Sequence, residues 1–217
     1  GYLCMTMPEA YGGLGVDKRY AMILIEEIAH AGASGVGWSL HNDIVANYVN
    51  NYGNEAQKNH WLPKMATGEI VTAIAMTEPG TGSDLQAVRT RAVLEGDHYV
   101  LNGSKTFITN GYLSEMVIVV AKTGALEDGA KGVSLLMVDA KSAGFTKGKP
   151  LKKVGMHAQD TRELFFKDVK VPKENLLGKE GNGFIMLMQE LAWERMIIAI
   201  ACVAGAAAGF QHTLDYV

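Results

Sequence analysis

Arg89-Thr90-Arg91-Ala92-Val93-Leu94-Glu95-Gly96-Asp97-His98-Tyr99-Val100-Leu101-Asn102-Gly103-Ser104-Lys105-Thr106-Phe107-Ile108-Thr109 is the stretch that decides the fold. Runs of strand length, Arg89 to Leu94, His98 to Leu101 and Lys105 to Thr109, are separated by Glu95-Gly96-Asp97 and Asn102-Gly103, both strong turn signals. Asn102-Gly103-Ser104 also fits a glycosylation acceptor, but a hairpin turn is the better reading. Before this stretch lies a short apolar run, Ile70 to Met76, and after it come Met116 to Ala121, Val133 to Val138 and Glu163 to Val171. Antiparallel strands at this spacing, with no helix between them, predict a barrel or a sandwich. The polar stretch Gly124 to Lys131 reads as a loop.

Further out the texture is helical on both sides. From Asp17 to Gly68 apolar residues recur at i, i+3, i+4 spacing, most clearly over Tyr20 to Ala29, and Gly53-Asn54-Glu55 reads as a helix end followed by a new cap. From Gly181 onward a long helix begins. Helices, then strands, then a helix argue for an all-β module set between helical parts. The chain opens on Gly1 rather than Met, and an apolar helix runs to within a few residues of Val217. The expectation is a piece of a longer protein, cut at both ends.

The 217 residues carry a net charge of −3, and 48% hydrophobic against 20% charged residues is globular composition rather than a disordered one. No basic field is available to make nucleic acid a main partner. Cys4 and Cys202 are too few and too far apart for a disulfide framework, and the six histidines have no metal-ligand spacing. The longest charge-free stretch, Met196 to Phe210, falls short of the ~20 residues needed to cross a bilayer, so no membrane span is expected.

Three places could carry chemistry. In Thr77-Glu78-Pro79-Gly80-Thr81-Gly82-Ser83-Asp84 the glycines offer bare backbone and room for a ligand. Leu85 stands where a dinucleotide fingerprint has its third glycine, and no Gly-Lys-Ser/Thr closes a Walker loop. Spacing alone favours a tight turn. Lys105-Thr106-Phe107-Ile108-Thr109-Asn110-Gly111 is the second place, and by itself it reads as a strand ending in a turn. The third is the helix Phe184 to Phe210. With Leu191 at zero, Phe184, Leu187, Met188, Ile198 and Cys202 fall within about 60°, Glu194 about 60° to one side and Arg195 about 40° to the other. Beyond Met196 the helix is apolar nearly all round, which predicts burial. A carboxylate on or beside such a stripe is desolvated, which prepares a general base, and a structural ion pair is an equally good reading.

Taken together these residues resemble the acyl-CoA dehydrogenase family. Ala75-Met76-Thr77-Glu78-Pro79-Gly80-Thr81-Gly82-Ser83-Asp84 is similar to its flavin-and-acyl-CoA loop, and Leu101 to Gly111 to its next signature. Asp160-Thr161-Arg162-Glu163-Leu164-Phe165-Phe166, with Asp168-Val169 and Val171-Pro172, is similar to the strand that closes the middle domain. The likeness runs from the loop Pro8-Glu9-x-Tyr11-Gly12-Gly13 to Val217. It implies an α+β multi-domain fold: a partial helical N-terminal domain over 1–70, a middle antiparallel β-barrel over 71–175, and the beginning of a C-terminal helical bundle over 176–217.

The resemblance also implies FAD as cofactor and removal of an α-proton from an acyl-CoA thioester, with hydride passing from the β-carbon to flavin N5. The product is a trans-2-enoyl-CoA, and the electrons leave through an electron-transfer flavoprotein. By position, Ile74, Ala75, Met76, Thr77, Glu78, Gly80, Gly82 and Ser83 contact the flavin on one side, with Thr77 bonding its ring. Phe107, Ile108 and Thr109 contact it on the other, Phe107 standing where many members carry Trp. Ser83, Thr123, Ala130, Lys131, Trp193, Glu194 and Arg195 are the implied substrate contacts. Leu191-Ala192-Trp193-Glu194-Arg195 matches the long-chain and isovaleryl type, in which the catalytic Glu lies on the helix after the barrel, and so points to Glu194. The family further implies a homotetramer active in fatty acid β-oxidation, in the cytoplasm of a bacterium or the mitochondrial matrix of a eukaryote. Two alternatives remain: an acyl-CoA oxidase, which hands electrons to oxygen, and a non-catalytic binding relative.

Overall fold

The structure is a computed structural model that describes residues 1–217. Its helical part comprises α1 (Lys18–His30), a π-helical turn over Leu40–Val45 that runs into α2 (Ala46–Tyr52), and α3 (Glu55–Thr67). Asp17 caps α1 by accepting from the Arg19 N–H, and Asn54 and Gln57 form a reciprocal capping box at the start of α3. These caps supply the local start signals; the apolar faces do the rest, that of α3 in the core shared with the sheet and that of α1 against the last helix.

The strands are β1 (Thr72–Ala75), β2 (Arg91–Glu95), β3 (His98–Thr109), β4 (Met116–Lys122), β5 (Val133–Asp139), β6 (Phe145–Lys147), β7 (Thr161–Pro172) and β8 (Leu176–Leu177). They form one eight-stranded sheet in the order β6-β7-β3-β2-β4-β5-β8, with β1 beside β4. The sheet curls upon itself and stays open between β6 and β8. Most pairs are antiparallel, as expected, but β4 has parallel neighbours, β1 along its length and β2 at the Arg91–Lys122 pair. The segment Leu126–Gly132 is a distorted 3-10 turn rather than an unstructured loop.

Every residue of β4 is buried, and strand alternation explains how. Met116, Ile118 and Val120 join Leu135 and Met137 of β5 in a core shared with the helices, while Val117, Val119 and Ala121 join Leu136 and Val138 in the core the curled sheet encloses. His41 fastens the two parts: its Nδ1 accepts from the Thr72 N–H at 3.2 Å while Nε2 lies 3.1 Å from the Met65 carbonyl, and burial pushes its pKa down.

Asn102-Gly103 is not a hairpin turn. It lies inside the continuous strand β3, at a bulge against β7. Gly103 takes φ +148°, a Cβ there would collide with Thr90, and the Asn102 side chain exchanges two hydrogen bonds with Asp168. The same small-residue chemistry that makes a turn makes a bulge, and the long partner β7 decides between them.

The last helix, α4 (Gly183–Tyr216), departs from the wheel reading. Its buried side chains are Met186, Leu187, Glu190, Glu194, Ile197 and Ala204, so the inward face is rotated toward Glu194, and Met188, Ile198 and Cys202 are exposed. Beyond Met196 it is largely exposed: Val203 and Phe210 are 71% and 65% accessible. A helix apolar all round needs several neighbours, and α1 is the main one it meets along this length. By length and composition alone α4 is long and apolar enough to cross a membrane, and it carries no Asp, Glu, Lys or Arg from Met196 to Leu214.

Candidate active site

The loop after β1 and the end of β3 are brought together. The Thr106 N–H donates to the Thr77 carbonyl at 2.9 Å, and the Lys105 ammonium donates to the Met76 carbonyl and to Glu78 Oε1, each at 2.9 Å. Lys105 has no accessible surface, and burial lowers its pKa to about 8 against the opposing pull of Glu78. Burial acts to raise the Glu78 pKa, but the Lys105 charge and the Thr90 and Arg89 N–H groups, at 2.9 and 2.7 Å, outweigh it and hold the carboxyl below its usual range. The Glu78 side chain therefore points inward to this lock. Of the flavin contact expected of it, the backbone remains.

Outside the lock the loop is bare. Gly80 and Gly82 have open space where a Cβ would stand, Ser83 is exposed, and Thr77 is half-buried. Phe107 adopts φ +59° and leaves its ring 68% accessible, between the buried Thr106 and Ile108. Thr109, half-buried, ends β3, and Ile74 and Ala75 are buried in β1. Exposed backbone beside a flat apolar ring forms a cradle that suits a planar ligand with a polar rim, as a flavin is.

Ala130 and Lys131 sit in the turn Leu126–Gly132, which packs against Leu85–Ala87, just past Ser83. The Thr123 hydroxyl is 2.7 Å from Ser134 Oγ.

Glu194 is 8% accessible. Burial raises its pKa, and Glu190 one turn away adds to the rise, while the hydrogen bond from the Tyr48 hydroxyl to Oε1, at 2.9 Å, works against it. One turn further along α4, Ile197 and Ile198 line a mostly apolar cleft of about 540 Å³, faced by Ile25 of α1, Leu40 and Ile44 of the π turn, and Met156. That volume is in the range of small-molecule sites. Trp193 and Arg195 do not line it. Trp193 lies under the Lys18 ammonium, 4.5 Å from the ring centroid, with its Nε1 buried and unpaired, and Arg195 is exposed. Their neighbourhood to Glu194 in sequence turns them, at about 100° per residue, to other sides of the helix. Sequence reasoning passed over Tyr48, Leu40 and Ile44. Only the helical periodicity around Tyr48 was visible, and its partner lies 146 residues on.

The structure thus holds a cradle of bare backbone and, one turn of α4 beyond the buried Glu194, an apolar cleft. The family models for the acyl-CoA dehydrogenase N-terminal domain and middle domain match residues 1–69 and 73–169. The chain belongs to the acyl-CoA dehydrogenase family. It is 50% identical, over its whole length, to the long-chain specific acyl-CoA dehydrogenase of Sus scrofa mitochondria, of which it covers 51%. The crystal structure of an acyl-CoA dehydrogenase from Geobacillus kaustophilus superposes with a TM-score of 0.97 at 52% identity, covering all of this chain and 57% of that one. An acyl-CoA dehydrogenase from Bacillus anthracis complexed with FAD superposes at 0.88 with 38% identity over 95% of this chain and 36% of that one. The chain thus spans about half the length of the curated relatives it matches.

Proposed function

We propose that the protein is an FAD-dependent acyl-CoA dehydrogenase in which Glu194 is the base that removes the α-proton of a fatty acyl-CoA thioester. The observation that carries this reading is the Glu194 carboxylate, buried one helical turn before the cleft-lining Ile197 and Ile198 and pushed toward higher proton affinity by that burial. The α-proton of a thioester is weakly acidic, so its removal needs a desolvated base and a polarised carbonyl. Gly80, Gly82, Thr77, Ser83, Phe107 and Thr109 hold the cofactor. FAD, when bound, supplies the acceptor for the β-hydrogen and its electron pair. The walls at Ile25, Leu40, Ile44 and Ile197 exclude water and take the acyl chain. Ser83, Thr123, Ala130 and Lys131 meet the CoA part. The product is a trans-2-enoyl-CoA.

In this reading an electron-transfer flavoprotein collects the electrons, the subunits form a homotetramer, and the compartment is the matrix of a eukaryote's mitochondrion or the cytoplasm of a bacterium. Anaerobic addition of acyl-CoAs of graded chain length to the FAD-loaded protein tests it. The flavin absorbance is expected to bleach, and enoyl-CoA to form. No bleaching with any acyl-CoA would refute the reading, and stoichiometric peroxide in air, without need of a protein acceptor, would make the protein an oxidase instead.

A further inference from the structure

Tyr48 has no accessible surface and sits among apolar core residues such as Val45, Val49 and Leu62. Phe would fill that volume without a polar atom to satisfy, so packing alone does not account for the hydroxyl. Its partner is Glu194 Oε1, at 2.9 Å. The next turn of α2 repeats the arrangement: the Tyr52 hydroxyl and the Asn51 amide donate to Glu190 Oε1 at 2.9 and 2.8 Å. Two tyrosines four residues apart on α2 thus meet two glutamates four residues apart on α4.

The pairs differ in one respect. Glu190 Oε1 accepts from the Asn51 amide and shares the Tyr52 hydroxyl with Gln189 Oε1, 3.1 Å from it, whereas Glu194 takes one donor on Oε1, and it is the glutamate nearer the cleft-lining Ile197 and Ile198. The elements packed on α4 also carry Lys18, engaged over the Trp193 ring, with Arg19, Glu26, Glu27 and His30 on α1; His41 and Asp43 in the π turn, where burial raises the Asp43 pKa to about 7; Glu127, Asp128 and Lys131 in the turn Leu126–Gly132; and Asp139 on β5. Glu190, one turn away, is the charge that acts on Glu194.

We propose that Tyr48 is a positioning residue for the base: its hydrogen bond fixes Oε1 of Glu194 on the α2 side and leaves Oε2 to take the substrate proton. In that step the α-C–H bond breaks, an O–H bond forms at Oε2, and the electron pair stays with the substrate. The proposal rests on the reading of Glu194 as base. A donor to the carboxylate favours its charged form, so removing it raises the pH at which the base becomes active.

The test is the rate of anaerobic flavin reduction by acyl-CoA as a function of pH in the FAD-loaded protein, for the wild type, Tyr48→Phe, Glu190→Gln and Glu194→Gln. For Tyr48→Phe the acid limb is expected to move up by roughly one pH unit or more, the worth of a hydrogen bond to a charged acceptor. For Glu190→Gln it moves down, because a like charge is removed. An unmoved limb in Tyr48→Phe, with Glu194→Gln unable to bleach, overturns the role of Tyr48 alone. Wild-type bleaching in Glu194→Gln overturns the base assignment and this proposal with it. Should Tyr48→Phe not fold, fluorotyrosine at position 48 serves: a stronger donor of nearly the same shape moves the limb down, and an unmoved limb overturns the proposal.

Discussion

Glu194 is held in a folded state that disfavours its charge, and this has a cost in stability. Its pKa is raised above the unfolded value, chiefly by burial. With a raised folded pKa, stability is fully present below the unfolded pKa near 4.3 and is lost as pH rises through the folded value. Glu194→Gln removes the titration while keeping an acceptor for Tyr48. Its melting temperature is therefore expected to exceed that of the wild type at pH 8 and to converge with it below about pH 4. A variant less stable than wild type at both ends would contradict the assignment of a desolvated carboxylate. Gly103 is a second single-residue test. At φ +148°, with Thr90 where a Cβ would stand, Gly103→Ala should cost about 1–3 kcal/mol in denaturant unfolding. The sequence marked Glu194 by its place near an apolar stripe, but it could not say which side of an all-apolar helix faces inward. The partner that decides, Tyr48, lies on another element.

At the scale of elements, the Lys105–Glu78 pair joins the loop after β1 to the end of β3. Both side chains are buried, so removing one partner leaves an uncompensated charge. Lys105→Met is expected to cost about 3–5 kcal/mol and to lose FAD on gel filtration, because the loop and the Phe107 turn then part. A double variant, Lys105→Met with Glu78→Gln, should recover part of the stability, measured by the same unfolding. Retention of FAD at wild-type affinity in Lys105→Met would show that the lock does not shape the cradle. The strands themselves were readable as runs of strand length bounded by turn signals, including β2, β4, β5 and β7. Asn102-Gly103 was readable only as small and flexible. Whether such a pair turns the chain or bulges it depends on β7, some sixty residues downstream. The short strands β6 and β8 left no periodic signal, being three and two residues long.

For the molecule as a whole, function depends on how the helical part meets the curled sheet. His41 and the shared core of β4 and β5 set that junction, and the cleft opens where α1, the π turn and α4 come together. Filling it should select by chain length: Ile44→Trp is expected to raise KM for long acyl-CoAs far more than for short ones, with FAD content unchanged. Equal effects on all chain lengths would mean the acyl chain lies elsewhere. The family resemblance carried the fold, but not the cleft walls, because Ile25, Leu40, Ile44 and Ile197 belong to separated segments with ordinary apolar composition. Trp193 and Arg195, adjacent to Glu194 in the chain, are turned by the helix to other sides and do not line the cleft. The central claim, that Glu194 takes the α-proton, is tested most directly by anaerobic mixing of FAD-loaded Glu194→Gln with an acyl-CoA substrate. Flavin bleaching should slow by ~10²–10⁴-fold or more with FAD retained; bleaching at the wild-type rate would contradict it.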